Sequence, residues 1–84
     1  METGKPTARL ENWYVYCCSR GVLLCGEVFG HNRLTDGHGI HTSLVVALHN
    51  DTTAETLNTV YTLGKPAGDG ELDRLKNVLE DYAQ

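Results

Sequence analysis

The first two thirds of the chain consist of short apolar runs separated by polar segments that contain glycine or asparagine. Runs that are rich in β-branched and aromatic residues are typical of β-strands, and the segments between them of turns. Five strands are predicted in this way, at residues 11–18, 22–29, 40–48, 52–57 and 59–63. Because the connections are short, the strands are expected to form a mainly β fold, an antiparallel five-stranded meander that curls into a small, partly closed barrel.

The first predicted strand is apolar on both faces. Alternate residues of a strand point to opposite sides of a sheet, so Tyr14 and Tyr16 share one face, opposite Trp13 and Val15. A strand of this kind is typical of the centre of a sheet or of a surface covered by a partner subunit. Tyr14 and Tyr16 therefore have two interpretations: they pack in the core, or they stack on a nucleobase of a ligand.

The last twenty residues follow a different pattern. A segment rich in glycine and proline, residues 64–70, ends the sheet region, and apolar residues then recur at helical spacing. We predict one C-terminal α-helix over residues 71–83. Its apolar stripe, Leu72, Leu75, Leu79 and Tyr82, either packs on the chain's own barrel or forms an oligomer interface. The predicted organisation is a flexible N-terminal arm at 1–10, a β-barrel-like domain at 11–64, and a linker with an amphipathic helix at 65–84.

Size and charge limit the classes of function. A chain of 84 residues has room for one domain with a small core, and oligomerisation often stabilises such domains. The net charge of −4 argues against direct binding to genomic nucleic acid. The N-terminal residues lack the apolar run of a signal peptide, and no segment approaches the roughly 20 apolar residues of a membrane span. A protein of the cytoplasm without membrane contact is expected, with Cys17, Cys18 and Cys25 as reduced, buried side chains.

The chemistry of the chain is concentrated in residues 26–43, which hold three of its four histidines and four of its nine glycines. Polar, glycine-containing loops on a rigid scaffold often carry function. The candidate ligand-binding residues of this segment are His31, Arg33, Asp36, His41, Thr42 and Ser43. A guanidinium offers a planar set of donors that suits phosphate, so Arg33 is the first candidate; alternatively, it pairs with Asp36 and stabilises the turn. Thr42 and Ser43 either bind a polar ligand or complete the turn.

We expect this segment to bind no metal and no other cofactor, and to carry no catalytic residues. The spacing of His31, His38 and His41 matches no zinc motif, and the intervening glycines raise the entropic cost of a fixed coordination geometry. His41 and Ser43 lie two residues apart, but no nucleophile elbow holds the serine. Phosphate-binding and dinucleotide-binding glycine motifs are absent from the sequence.

A longer pattern surrounds these residues. The motif G-x-V-x-G-H-x-R-x-x-D-G-x-x-I-x-T-S occupies residues 26–43, after Asn12-Trp13 and before Y-x-L-G at 61–64. The pattern resembles a family of small phage- and prophage-encoded proteins, over roughly residues 11–64. The resemblance implies an anti-defence role, either sequestration of a cyclic nucleotide immune signal or inhibition of an effector such as a CRISPR complex. We therefore expect a non-enzymatic protein of the host cytoplasm that holds a small nucleotide in a loop-lined pocket formed between subunits of a homo-oligomer; the alternative is a protein-binding inhibitor.

Overall fold

The computed structural model describes residues 4–82, except for the side chain of residue 82. Six strands form one mixed sheet, and one helix follows. The elements are β1 (Thr7–Cys18), β2 (Gly21–Phe29), β3 (His38–His41), β4 (Val45–His49), β5 (Thr53–Thr56), β6 (Val60–Leu63) and α1 (Glu71–Tyr82). The strand order is β3-β2-β1-β6-β5-β4, so β3 and β4 are the two edges and the sheet is not closed. The predicted mainly β class with a C-terminal helix is confirmed.

The predicted antiparallel meander is wrong for the first and the last strand of the chain. β1 and β6 pair in parallel, with Thr7 opposite Val60 and Leu10 opposite Leu63. Residues 7–10 of the predicted flexible arm therefore belong to β1, and residues 1–3 lie outside the described residues. Leu10 is fully buried and Ala8 is nearly so, which explains why this segment joins the sheet.

The predicted strand over residues 40–48 is two strands, β3 and β4, and this makes the strand count six instead of five. Thr42 causes the break. Its backbone N–H donates to Leu24 O at 2.8 Å, and its hydroxyl oxygen accepts from Leu24 N at 3.0 Å. Because a side chain takes the place of a backbone carbonyl, the ladder ends here and the chain crosses to the opposite edge of the sheet.

A bulge in β1 organises the centre of the sheet. The pairing register shifts between Glu11 and Tyr14, and Asn12 between them has a φ of 54°. The extra residue changes the phase of the alternation, so Trp13 and Val15 face the same core as Leu10. The Trp13 indole N–H donates to the carbonyl of residue 64 at 3.0 Å.

The helix packs on the chain's own sheet. Leu75 is fully buried, and Leu72 and Leu79 are half-buried against the core. The backbone N–H of Val15 donates to a Glu71 carboxylate oxygen at 2.9 Å, which joins β1 to the start of the helix. Leu75 is therefore not available to a partner, contrary to its predicted place in an oligomer interface. The side chain of Tyr82, which belongs to the same prediction, lies outside the described part of the chain.

The outer surface of the sheet differs from the predicted one. Tyr14 and Tyr16 keep 46% and 53% of their surface exposed, so neither packs in the core. Cys17 is exposed, and Cys18 and Cys25 are half-buried, so the prediction of buried cysteines is wrong for Cys17. The exposure of the two tyrosines has a simple cause: the helix packs on the face of β1 that carries Val15, and the opposite face, the outer surface of the sheet, stays uncovered. Among the described residues, no helix is long and apolar enough to cross a membrane.

Candidate functional site

An open cleft of about 810 Å³ lies beside the loop that joins β2 to β3. Three further segments line it: the residues before β1, the connection from β3 to β4, and the turn between β5 and β6. The lining residues are Gly4, Lys5, Pro6, His31, Asn32, Arg33, Leu34, Ile40, His41, Thr42, Ser43, Asn58, Thr59 and Tyr61. The parallel pairing of β1 with β6 brings the first of these segments to the cleft.

Five of the eight predicted ligand-binding residues line this cleft: His31, Arg33, His41, Thr42 and Ser43. The structure assigns Thr42 a structural role. It is 3% exposed, and its hydroxyl group accepts from Leu24 N and donates to Ser43 O at 2.7 Å. The hydroxyl group is thus already engaged, so the turn interpretation of Thr42 describes it better than ligand binding.

Asp36 and the two tyrosines lie elsewhere. An Asp36 carboxylate oxygen accepts from Gly30 N at 2.8 Å, which closes the loop, and the residue lines a separate cavity with Arg9. Within residues 4–82, no ion pair joins it to Arg33. Tyr14 lines a further cavity on the outer surface of the sheet. An aromatic stacking role for Tyr14 or Tyr16 therefore does not belong to the cleft.

The loop of residues 30–37 is held by contacts within itself and to β2. Gly37 N donates to Val28 O at 2.7 Å, and Gly30 and Gly37 have φ values of 77° and 84°, which favour glycine. Inside the loop, the backbone N–H of Arg33 donates to His31 Nδ1 at 3.0 Å. Arg33 is exposed, and among the described residues its guanidinium has no ion-pair partner.

The opposite wall of the cleft is built around Asn58. Its side-chain oxygen accepts hydrogen bonds from the hydroxyl groups of Ser43 and Thr59, both at 3.1 Å. With the oxygen engaged twice, the polar group that remains on Asn58 is the NH₂, which is a donor. In the sequence, Asn58 is only the residue between the two predicted strands at 52–57 and 59–63, a plausible turn or bulge. No motif marks it, because its role depends on Ser43, fifteen residues away in the chain.

The titratable side chains among the described residues of the lining are Lys5, Arg33, His31, His41 and Tyr61, and no carboxylate is among them. This contrasts with the net charge of −4 on the whole protein. Burial raises the pKa of the Tyr61 hydroxyl, which keeps it neutral. The cleft is thus a locally cationic, donor-rich region on an acidic protein.

Lys5 is held in the wall of the cleft by groups behind it. Its ammonium donates to a Glu55 carboxylate oxygen at 2.7 Å and to Thr56 O at 2.8 Å. His49 contacts the other Glu55 oxygen at 3.0 Å. Lys5, and to a lesser degree His49, lower the pKa of Glu55. The Glu55 charge offsets that of Lys5, so Arg33 contributes most of the positive charge of the cleft.

No metal site is found within residues 4–82, since no three His, Cys, Asp or Glu side chains lie close enough together to hold an ion. Comparison with protein-family models, with curated proteins and with solved structures gave no match. A functional assignment therefore rests on the chemistry of the cleft.

Proposed function

We propose that this chain is a non-enzymatic binding protein that sequesters a small nucleotide in the cleft. The observation that carries the proposal is the composition of the lining, which offers hydrogen-bond donors and cations and, among the described residues, no carboxylate. A phosphate group needs such surroundings. The volume of about 810 Å³ falls within the range of roughly 300–1,000 Å³ that is common for small-molecule sites.

Each wall has a role in this proposal. Arg33 binds a phosphate through two parallel hydrogen bonds, and His31 and His41 donate to further oxygens. Asn58 donates from the opposite side. Ile40, which is half-buried in the cleft, offers apolar surface to the base or sugar. The same arrangement suits linear and cyclic nucleotides, since both present phosphate oxygens and a flat base.

Binding without turnover is proposed because the described residues that line the cleft include no activated nucleophile. The Ser43 hydroxyl donates to Asn58, not to a base. A general base must lie within hydrogen-bond reach of the group that it deprotonates. The motif at residues 26–43 resembles small phage proteins, and a phage protein that withholds a cyclic nucleotide signal would counter bacterial immunity from the host cytoplasm.

The open side of the cleft leaves room for a second copy of the chain. We propose that a homo-oligomer encloses the ligand, and that the second copy excludes water from a cleft that is open in a single chain. Light scattering on the protein with and without nucleotide tests this part. A mass of one chain in both samples would contradict it and leave an open monomeric site.

The Arg33→Ala variant tests the proposed site. Wild-type protein and variant are mixed with a panel of cyclic and linear nucleotides, and the thermal shift is measured. Loss of a charge-assisted, bidentate contact should cost about 1.5–3 kcal/mol of binding, or roughly tenfold or more in affinity. The Arg74→Ala variant is the matched control, because Arg74 is an exposed helix residue outside the cleft.

Two results would contradict the proposal. One is the absence of a shift with every nucleotide for the wild-type protein. The other is an equal thermal shift on addition of nucleotide for the Arg33→Ala and Arg74→Ala variants. An unfolded Arg33→Ala variant would assign the residue a structural role.

The second candidate function, inhibition of a protein of the bacterial immune system, is favoured by a different surface. Tyr14 and Tyr16 are exposed together on the outer face of β1, and tyrosine is enriched in protein interfaces. A double Tyr14→Ala, Tyr16→Ala variant should lose inhibition of such a target and keep nucleotide binding. If it keeps both, this face is not the interface.

A further inference from the structure

His31 has two ring nitrogens with different surroundings. Its Nδ1 accepts the backbone N–H of Arg33 at 3.0 Å, and the side chain is half-buried in the lining of the cleft. A neutral imidazole has one donor and one acceptor nitrogen. Because Nδ1 accepts, the proton of the neutral ring is on Nε2, and the ring has an N–H donor left for a ligand.

We propose, on the basis of the function proposed above, that His31 is the residue that positions Arg33 and supplies a second donor to the same anion. Nδ1 fixes the backbone of Arg33, and Nε2–H donates to a phosphoryl oxygen. The ligand class that follows is an anion with at least two acceptor oxygens on neighbouring positions, such as a phosphate or a diphosphate.

Arg33 benefits from this support because packing does not fix its side chain. Its guanidinium lacks an ion-pair partner there, and its side chain is exposed. The loop is held at its two ends, where Gly30 N donates to Asp36 and Gly37 N donates to Val28 O. Between them, Thr35 O accepts from His38 N at 3.1 Å and Leu34 packs against the core, while the hydrogen bond to His31 is the contact made by the backbone of Arg33 itself. An ordered backbone lowers the entropic cost of placing a long side chain on a ligand.

Two substitutions separate the roles of the ring nitrogens. In His31→Asn, the amide oxygen takes the place of Nδ1 and can accept from a backbone N–H two residues on, as in an Asx-turn, but the Nε2 donor is lost. In His31→Gln, the amide NH₂ lies near the position of Nε2, and the local acceptor is lost. His38 provides the matched control, because it lies in β3 outside the cleft lining.

The first measurement needs no ligand. Nitrogen-15 NMR of the free protein should show the neutral Nε2–H tautomer of His31 and slow hydrogen exchange at the Arg33 amide. The protection should persist in His31→Asn and be lost in His31→Gln, with His38→Asn unchanged. A neutral Nδ1–H tautomer, or equal Arg33 protection in His31→Asn and His31→Gln, would overturn the positioning role whatever the protein binds.

The second measurement is calorimetric titration with inorganic pyrophosphate. Both His31→Asn and His31→Gln should bind about tenfold more weakly or worse than wild type, the first because it lacks the donor and the second because Arg33 is less ordered. Wild-type affinity in His31→Asn would overturn the donor role of Nε2. Failure of the wild-type protein to bind pyrophosphate would contradict the proposed anion site and the donor role, while the NMR result still decides the positioning role.

Discussion

Gly26 and Gly64 lie against the β1 bulge, and neither lines the cleft. A Cβ on Gly26 would lie 2.9 Å from Glu11 O and 3.1 Å from Trp13 Cα, and a Cβ on Gly64 would overlap the Glu11 carboxylate. That carboxylate accepts from Lys65 N at 2.8 Å. Because neither position has a side chain, β2 and the residue after β6 can pack directly against the bulge.

Gly26→Ala and Gly64→Ala should both destabilise the protein. Overpacking of this kind costs about 1–3 kcal/mol of unfolding free energy, and the smaller effect is expected at Gly64, where the Glu11 side chain can move. Urea denaturation measures the change. Gly68→Ala is the control, since a Cβ there meets nothing within 4 Å. If Gly26→Ala is as stable as Gly68→Ala, the close approach does not constrain the bulge.

The acid stability of the protein should depend on Glu55. Hydrogen bonds from Lys5 and His49 lower the pKa of this carboxyl below its ordinary value of 4.5. A lowered pKa in the folded state stabilises the protein above pH 4.5, and the contribution is lost as the pH falls through the folded-state pKa. Wild type should therefore exceed Glu55→Gln in urea midpoint at pH 7, with the difference shrinking as the pH falls below 4.5 and through the lowered folded-state pKa of Glu55. A constant difference across this range would contradict the assignment.

Single residues show which roles the sequence could predict. His31, Arg33, His41 and Ser43 were identified as site candidates because they cluster within one loop, and they do line one cleft. Asp36 and Thr42 carry the same polar chemistry but are engaged by backbone N–H groups. Whether a hydroxyl or carboxylate faces a ligand or a backbone depends on tertiary contacts, which sequence spacing does not reveal.

Among the elements, α1 was the easiest to predict and its packing the hardest. The stripe at helical spacing identified the helix, but the stripe fits its own sheet or another subunit equally well. The fully buried Leu75 identifies the sheet as its partner. The alternation of apolar and polar residues likewise predicted most of the strands. It did not predict the break between β3 and β4, because the alternation runs without interruption across it.

Leu75→Ala should lower the unfolding free energy by about 2–5 kcal/mol, the usual cost of a cavity in a core. Leu57→Ala is the control, because Leu57 is 58% exposed. Since Leu75 packs within its own chain, the melting temperature of the variant should be lower at every protein concentration by the same amount. A loss of stability that grows on dilution would instead place the stripe at a subunit interface.

At the scale of the whole molecule, the parallel pairing of β1 with β6 creates one side of the cleft. It brings the segment before β1 next to the β5–β6 turn, where Lys5 reaches Glu55. The cleft thus combines residues from near the start, the middle and the later part of the chain. Lys5 was not predicted because short connections favour antiparallel neighbours, and a meander would not have placed the segment before β1 beside the β5–β6 turn.

We propose that the cleft holds a nucleotide and releases it unchanged. Native mass spectrometry tests it directly: the protein is mixed with the nucleotide that gives the largest thermal shift, the complex is weighed, and the ligand is weighed again after release by heat. We expect a complex with bound nucleotide, an unaltered ligand mass, and loss of the complex in Arg33→Ala. A hydrolysed product would indicate an enzyme, and protein without bound nucleotide would contradict the binding function itself.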